Sequence, residues 1–307
     1  MSNDDLAKTL DTSDDWIYAR TGIKMRHIAA EGQMASDLAA QALRSAMSRA
    51  SISPISLDGI IVATTTPDQV FPSTAAKVHN KLGMRADSFA FDVQAVCSGF
   101  LYAMTIGNSM IASQQASRIA VVGAEVMSRI LDWEDRTTCV LFGDGAGAII
   151  LERAQNIQST GGARGIIGSK LSCESSFTEI LKVDGGVGMG KKGKIRMMGR
   201  ETYKVVVPGM ASIGGDLLER NGLVAEHLDW ILPHQANQRI TESISARMNV
   251  PLSKFVSTIE KHANTSAASI PLALDEYVNK GLIQEGNLIL MVAAGGGITF
   301  AATLLRF

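Results

Sequence analysis

Cys97, His234 and Asn264 each stand just past an apolar, strand-like run, where a helix-like run begins. Cys97 lies in Asp92-Val93-Gln94-Ala95-Val96-Cys97-Ser98-Gly99-Phe100, His234 in Pro233-His234-Gln235-Ala236-Asn237, and Asn264 in His262-Ala263-Asn264-Thr265-Ser266. A thiol at the start of a helix faces its first backbone N–H groups, and these, with the helix dipole, favour a thiolate. Ligands of α/β sheets bind at strand ends. A cysteine, a histidine and an asparagine arriving at three such junctions point to acyl transfer through a cysteine nucleophile. Each has a plainer reading alone: a buried cysteine as a small hydrophobe, a packed histidine, an asparagine capping a helix. Capping and packing do not explain the three together. Cys139, inside Cys139-Val140-Leu141-Phe142, reads as core, and Cys173 as a strand end.

Other chemistries fit poorly. His234 and His262 are far apart, and neither has a carboxylate or cysteine at metal-ligand spacing. The glycine runs Gly143 to Gly147 and Gly295-Gly296-Gly297 are not dinucleotide fingerprints, since neither opens a helix after a strand with an acidic residue further on. Gly295 to Gly297 separates two apolar runs and reads as a sharp turn that can offer N–H groups to an oxyanion. There is no nucleophile-elbow serine and no phosphate-loop lysine.

The elements that must position these residues alternate along the chain. Helical patterns run from Met34 to Met47, Pro72 to Leu82 and Ser98 to Ser117. Strand patterns run from Leu57 to Thr64, Phe89 to Val93, Ile119 to Val126 and Gly145 to Glu152. The second half repeats the plan. Strands at Gly165 to Cys173, Leu228 to Leu232, Phe255 to Ile259, Asn287 to Ala293 and Ile298 to Leu305 alternate with helices at Tyr203 to Asn221, Asn237 to Met248 and Ser266 to Asn279. Near-continuous apolar strands belong to sheets covered on both faces. Leu57-Asp58-Gly59-Ile60-Ile61 matches Leu228-Asp229-Trp230-Ile231-Leu232, so the chain reads as an internal duplication with halves at 1–157 and 158–307 sharing one site. The second half opens with a strand that the first half lacks, since residues 1–33 carry no apolar strand pattern; the expectation is a gap at the centre of the first sheet. Lys191, Lys192, Lys194, Arg196, Arg200 and Lys204 follow the glycine-rich Gly185 to Gly190 and read as a mobile loop, either merely solvated or able to dock an acidic partner or phosphate.

Bulk composition agrees. With 307 residues, 46% of them hydrophobic, the chain can bury a large core. Its 29 basic and 30 acidic residues nearly cancel, which argues against nucleic acid or a membrane surface as main partner. Three cysteines without regular spacing are not a disulfide framework, and neither a signal peptide nor a transmembrane run is visible, so a cytoplasmic protein is expected.

The chain resembles the beta-ketoacyl-acyl-carrier-protein synthase III family. The likeness runs from about Leu6 to Phe307 and rests on Asp11 to Ile17, Arg20 to Ile23, Phe142 to Ala146, Pro233 to Asn237 and Asn264 to Ser269, besides the cysteine segment. It implies an α/β, thiolase-like duplicated fold in five layers, α-β-α-β-α, and a homodimer, here without the usual first strand. It implies Cys97 as the nucleophile, His234 and Asn264 as the pair that promotes malonyl decarboxylation, and the backbone N–H groups of Cys97 and Gly296 as the oxyanion hole. Trp16 and Arg136 match residues flanking the coenzyme A adenine, with Thr12 a further contact. Phe71 matches a residue that reaches the partner subunit's acyl pocket. Lys204, Arg239 and Arg247 match a basic surface that receives the acidic carrier protein. The substrates implied are an acyl-CoA, with acetyl-CoA the expected starter, and malonyl-acyl carrier protein; no cofactor is implied, coenzyme A entering only as a substrate thioester.

Two positions depart from the family pattern. Many members carry phenylalanine where this chain has Ala294, which is expected to widen the acyl pocket or loosen His234, and Ala246 replaces a basic residue on the docking face. Two alternatives therefore stay open beside a fatty acid initiating synthase: a specialised acyl-CoA-dependent condensing enzyme or acyltransferase of secondary metabolism, and a catalytically weak partner subunit.

Overall fold

Two four-stranded sheets, each opened by the same local device, organise the chain. In the first half a carboxylate of Asp58 accepts the N–H groups of Ser117 and Arg118, while Asp58 N–H donates to Arg118 O. In the second half Asp229 accepts Leu288 N–H and donates its own N–H to Leu288 O. The matched Leu-Asp pairs of the sequence thus fix the same strand start twice.

The computed structural model describes residues 1–154 and 164–307, so the expected boundary between residues 157 and 158 lies outside the described residues. The first half runs α1 (Asn3–Ala7), α2 (Asp14–Thr21), α3 (Ala35–Ala50), β1 (Gly59–Ala63), α4 (Thr74–Leu82), β2 (Phe89–Val93), α5 (Gly99–Ala112), β3 (Arg118–Glu125) and β4 (Gly145–Glu152). The second runs β5 (Gly165–Cys173), β6 (Leu181–Val183), β7 (Ile195–Met197), α6 (Gly199–Arg220), β8 (Trp230–Pro233), α7 (Gln238–Met248), α8 (Ile259–His262), α9 (Ser269–Asn279), β9 (Leu288–Gly295) and β10 (Thr299–Arg306). The sheets are ordered β2-β1-β3-β4 and β5-β10-β9-β8. β4 and β10 are antiparallel to their inner neighbours, while β1, β2 and β3, like β8 and β9, pair in parallel.

Three apolar clusters stack the expected five layers. Leu43 and Val78, from α3 and α4, pack on Ile60 and Val122 at one outer face. Phe100 and Met104 of α5 and Ile270 of α9 lie between the sheets, against Ile61, Val121, Ile289 and Met291. Met210 and Ile244, from α6 and α7, cover Leu290 and Phe300 at the other outer face. No helix among the described residues is long and apolar enough to cross a membrane.

The structure corrects the sequence reading in three places. β1 and β3 pair directly, from Gly59↔Ile119 to Ala63↔Gly123, so the first sheet has no gap at its centre. The strand without a counterpart, β5, lies at a sheet edge on β10, and the corresponding position is the outer edge of β4, beside a groove of about 520 Å³ between α3 and α9. Phe255 to Ile259 is not a strand. It makes a single bridge, Ile231↔Phe255, because the buried Gln235 amide takes over the ladder, donating to Val256 O and accepting Thr258 N–H. The glycine-rich basic segment is no free loop. β6 and β7 form a hairpin across it, Arg196 pairs with Asp184 and Asp132, and Lys194 Nζ donates to Leu131 O.

The halves meet closely where β3 ends. A Cβ on Gly123 would lie 2.3 Å from Ala267 O and 2.8 Å from its carbonyl carbon. Those are backbone atoms that cannot swing aside. Gly123→Ala is expected to cost about 2–4 kcal/mol, read as a lower urea midpoint; an unchanged midpoint would mean that β3 and the 266–268 turn do not approach this closely.

Candidate active site

The nucleophile candidate sits on a turn that the backbone reaches with difficulty. Cys97 is the middle residue of a 3-10 turn, Val96–Ser98, that leads from β2 into α5. Val96, a β-branched residue, takes φ +49°, as does Ser266 in the facing turn Ser266–Ala268. Each such residue costs on the order of 1–3 kcal/mol and persists only where its surroundings enforce it. Here glycine permits the enforcement: a Cβ on Gly295 would strike Ala95 O at 2.5 Å and Cys97 N at 3.0 Å.

Asn264 to Ser269 ties the three predicted residues together. The Cys97 turn packs against the Ser266–Ala268 turn. Asn264 Oδ1 accepts Ser266 N–H at 2.8 Å, which leaves its Nδ2 amide as the group with hydrogens to offer. His234 Nδ1 lies 2.7 Å from Ser269 Oγ. That hydroxyl accepts Gln235 N–H at 3.3 Å and keeps its own proton free to donate to Nδ1, the arrangement that puts the imidazole hydrogen on Nε2. His234 is 3% exposed and Asn264 6%, and both hold a fixed N–H donor.

Burial sets the protonation states. It pushes the Cys97 thiol up to about 12. The sequence reading, in which helix amides favour a thiolate, is therefore outweighed: the helix end contributes about 0.3–1 kcal/mol, and desolvation of a buried thiolate opposes it with more. Burial also drives His234 down to about 3, so the ring is neutral at physiological pH.

A cavity of about 360 Å³ opens on Cys97. Gly296 and Gly297, from the β9–β10 turn, line it with Thr65, Met127, Ile130 and Phe142. Gly297 has φ +71°, as the sharp turn read from the sequence requires. Cys97 and Gly296 thus share one cavity. Ala294 faces elsewhere, in the apolar cluster with Phe300 and Val292 under α6. Phe71 lines no part of the cavity; it is 81% exposed beside the 70% exposed Val70.

The remaining predicted residues lie on the surface. Trp16 is flanked by two guanidinium groups, Arg20 at 4.4 Å and Arg136 at 5.2 Å from its ring centre. Arg136 also bonds Asp11, and Thr12 Oγ1, next in the chain, is buried without a partner. Lys204, Arg239 and Arg247 are exposed on α6 and α7. Arg239 donates to Ala19 O, which ties α7 to α2.

Glu125 is a further site residue that the sequence reading missed. It is fully buried at the end of β3. Its carboxylate accepts Thr65 N–H, Thr66 N–H, Thr66 Oγ1–H at 2.6 Å and Ser266 Oγ–H at 3.0 Å. A lone acid closing the apolar run Ile119 to Val126 was the available signal, since such charges are buried only when held.

Comparison with known proteins identifies the family. The chain matches the family described as "3-Oxoacyl-[acyl-carrier-protein (ACP)] synthase III" over residues 91–174 and that family's C-terminal part over residues 218–307. It is 50% identical over 307 residues to the Beta-ketoacyl-[acyl-carrier-protein] synthase III of Paramagnetospirillum magneticum, covering 100% of this chain and 94% of that one. Identity to the protein of that name from Neisseria gonorrhoeae is 49%, covering 100% and 95%. Among solved structures, 3-oxoacyl-[acyl-carrier-protein] synthase III from Aquifex aeolicus superposes with a TM-score of 0.94 at 45% identity, covering 100% of this chain and 95% of that one.

Proposed function

Because the chain belongs to the beta-ketoacyl-acyl-carrier-protein synthase III family, the condensing enzymes that initiate fatty acid synthesis, we propose that it joins an acetyl starter from acetyl-CoA to malonyl-acyl carrier protein. Cys97 carries the acyl group. The observation behind this reading is the pair of buried donors, His234 Nε2–H and Asn264 Nδ2–H, each fixed by a serine of one short segment that packs against the Cys97 turn.

The chemistry follows in two halves. The starter thioester acylates Cys97 and coenzyme A leaves, and the N–H groups of Cys97 and Gly296 hold the oxyanion when the acyl-Cys97 thioester is later attacked. Malonyl-carrier protein then enters and loses CO2. The electrons left behind spread onto the thioester oxygen, where His234 and Asn264 donate hydrogen bonds as charge develops. The carbanion attacks the acyl-Cys97 thioester, and 3-oxoacyl-carrier protein departs. A neutral His234 suits this role, since it donates a hydrogen bond without surrendering the proton.

Binding residues are assigned on the same reading. The coenzyme A adenine stacks between Trp16 and Arg136, displacing Arg136 from its present place over the ring, with Thr12 Oγ1 as a nearby polar contact. The acidic carrier protein docks on exposed Lys204, Arg239 and Arg247. A second copy of the chain covers Val70 and Phe71, and Phe71 closes the acyl pocket of the partner subunit, with the halves 1–157 and 158–307 forming one site between them.

Intact mass tests the reading. Incubation with acetyl-CoA should add one acetyl group at Cys97, and malonyl-carrier protein should then discharge it as acetoacetyl-carrier protein. No adduct on a folded dimer would refute acetyl-CoA as starter.

A further inference from the structure

Ser266 is the hinge between the two donor anchors, and its backbone is strained. Upstream, Asn264 Oδ1 accepts the Ser266 N–H at 2.8 Å; downstream, Ser269 Oγ lies 2.7 Å from His234 Nδ1. Rotation about the Ser266 φ therefore moves one anchor relative to the other. That φ is +49°, a left-handed value that a non-glycine residue keeps only where its neighbours hold it. The bond to Asn264 does not hold it. The N–H lies on the near side of the rotating N–Cα bond and stays in place as φ changes. The hydroxyl lies on the far side, and it donates to Glu125 Oε1 at 3.0 Å.

Glu125 gives that hydroxyl a fixed anchor. It is fully buried, and three donors of the first half already hold its Oε2: Thr65 N–H at 3.0 Å, Thr66 N–H at 3.1 Å and Thr66 Oγ1–H at 2.6 Å. The direction of the last is set, because Thr66 Oγ1 also accepts Val126 N–H at 2.8 Å. The end of β3 shapes the seat as well. Gly123 and Glu125, two apart, face the same side of the strand. Gly123 leaves room for the Ala267 carbonyl, which a Cβ would meet at 2.3 Å, while Glu125 reaches the neighbouring Ser266.

From this geometry we propose that Glu125 is a positioning residue for decarboxylation: it clamps the Ser266 hydroxyl, keeps that backbone left-handed, and so keeps the Asn264 and His234 donors aimed together at the enolate oxygen. The assignment rests on the condensing-enzyme reading above. Glu125 acts through Ser266 and touches no substrate, so its loss lowers the decarboxylation rate without weakening malonyl binding.

Glycine separates a clamp from mere packing, because it adopts a left-handed φ without steric strain. The measurements are malonyl-thioester decarboxylation and single-turnover acetylation of Cys97, with urea midpoints to follow folding. Ser266→Ala loses the clamp and keeps the strain; its decarboxylation kcat should fall about tenfold, with KM within about twofold. Ser266→Gly loses both and should recover most of that fall. Acetylation should change less than about threefold in either variant, since neither removes a group that touches the starter. Glu125→Ala should also decarboxylate slowly, and adding Ser266→Gly to it should raise the rate about tenfold. Where Glu125→Ala does not fold, the two Ser266 variants decide, since both keep the Oε2 contacts. Parental decarboxylation in Ser266→Ala would overturn the proposal. So would a Ser266→Gly rate no higher than that of Ser266→Ala, the mark of a merely structural hydroxyl. If the parent decarboxylates no malonyl thioester, the condensing-enzyme reading fails by itself. Amide hydrogen exchange over residues 264–269 then becomes the readout: about tenfold faster in Ser266→Ala than in the parent if Glu125 clamps the turn, and unchanged if the clamp is wrong.

Discussion

Cys97→Ala should leave a folded protein whose acyl transfer is at least ~10⁴-fold slower and whose mass does not change after acetyl-CoA. Folding survives because cysteine in an apolar setting packs as a small hydrophobe, and losing one sulfur costs on the order of 1 kcal/mol. Chemistry does not, since no other group can hold the acyl chain in the cavity. Cys139 is buried behind Arg26 in another cluster. Cys173 is exposed and lies against Gly297 O, outside the cavity lining. Accessibility alone would favour Cys173, so the result separates two explanations of any labelling. Acetyl transfer at the parental rate in Cys97→Ala, mapped to Cys173, would end the assignment of Cys97.

How much of this was legible follows from where each signal is stored. The three junction residues were readable because strand, turn and helix patterns are local, and Cys97, His234 and Asn264 are the polar side chains those junctions leave in place. The duplication was readable through Asp58 and Asp229, which perform one hydrogen-bonding task twice. Strand order was not, because pairing partners lie far apart in sequence; the position expected at the sheet centre proved to be an edge. Phe255 to Ile259 misled because its apolar pattern suits a strand, whereas a side-chain amide from Gln235 supplies the bonds. Glu125 was passed over as the polar end of a strand, since its meaning depends on two distant turns, at Thr64 to Thr66 and Ser266 to Ala268, the farther 141 residues away in sequence. The thiolate expectation failed on magnitude: a helix end is visible in sequence, and depth of burial is not.

The second large effect belongs to His234 and Asn264, the pair proposed to promote decarboxylation. Asn264→Ala removes one of two fixed donors to the developing enolate, and decarboxylation should fall about 10²–10³-fold. Acylation should fall less than about tenfold, and not to zero change, because Asn264 Oδ1 also holds Ser266 N–H. His234→Ala deletes the other donor and leaves Ser266 in place, so its loss should be confined more cleanly to decarboxylation. The pH dependence carries a further check. His234 falls from an ordinary value near 6.5 to about 3 on folding, so its donor is unchanged between pH 5 and 8 and decarboxylation should show no histidine titration there. The same shift has a consequence for stability. A histidine depressed in the folded state favours folding fully above 6.5 and loses that contribution as pH falls toward 3, because the unfolded chain takes up the proton first. His234→Ala should therefore flatten the acid side of the unfolding profile between those values while abolishing most decarboxylation. A decarboxylation rate that titrates near 6.5 would place a charged His234 in the mechanism and overturn the neutral donor, and equal loss in both half-reactions would overturn its confinement to decarboxylation.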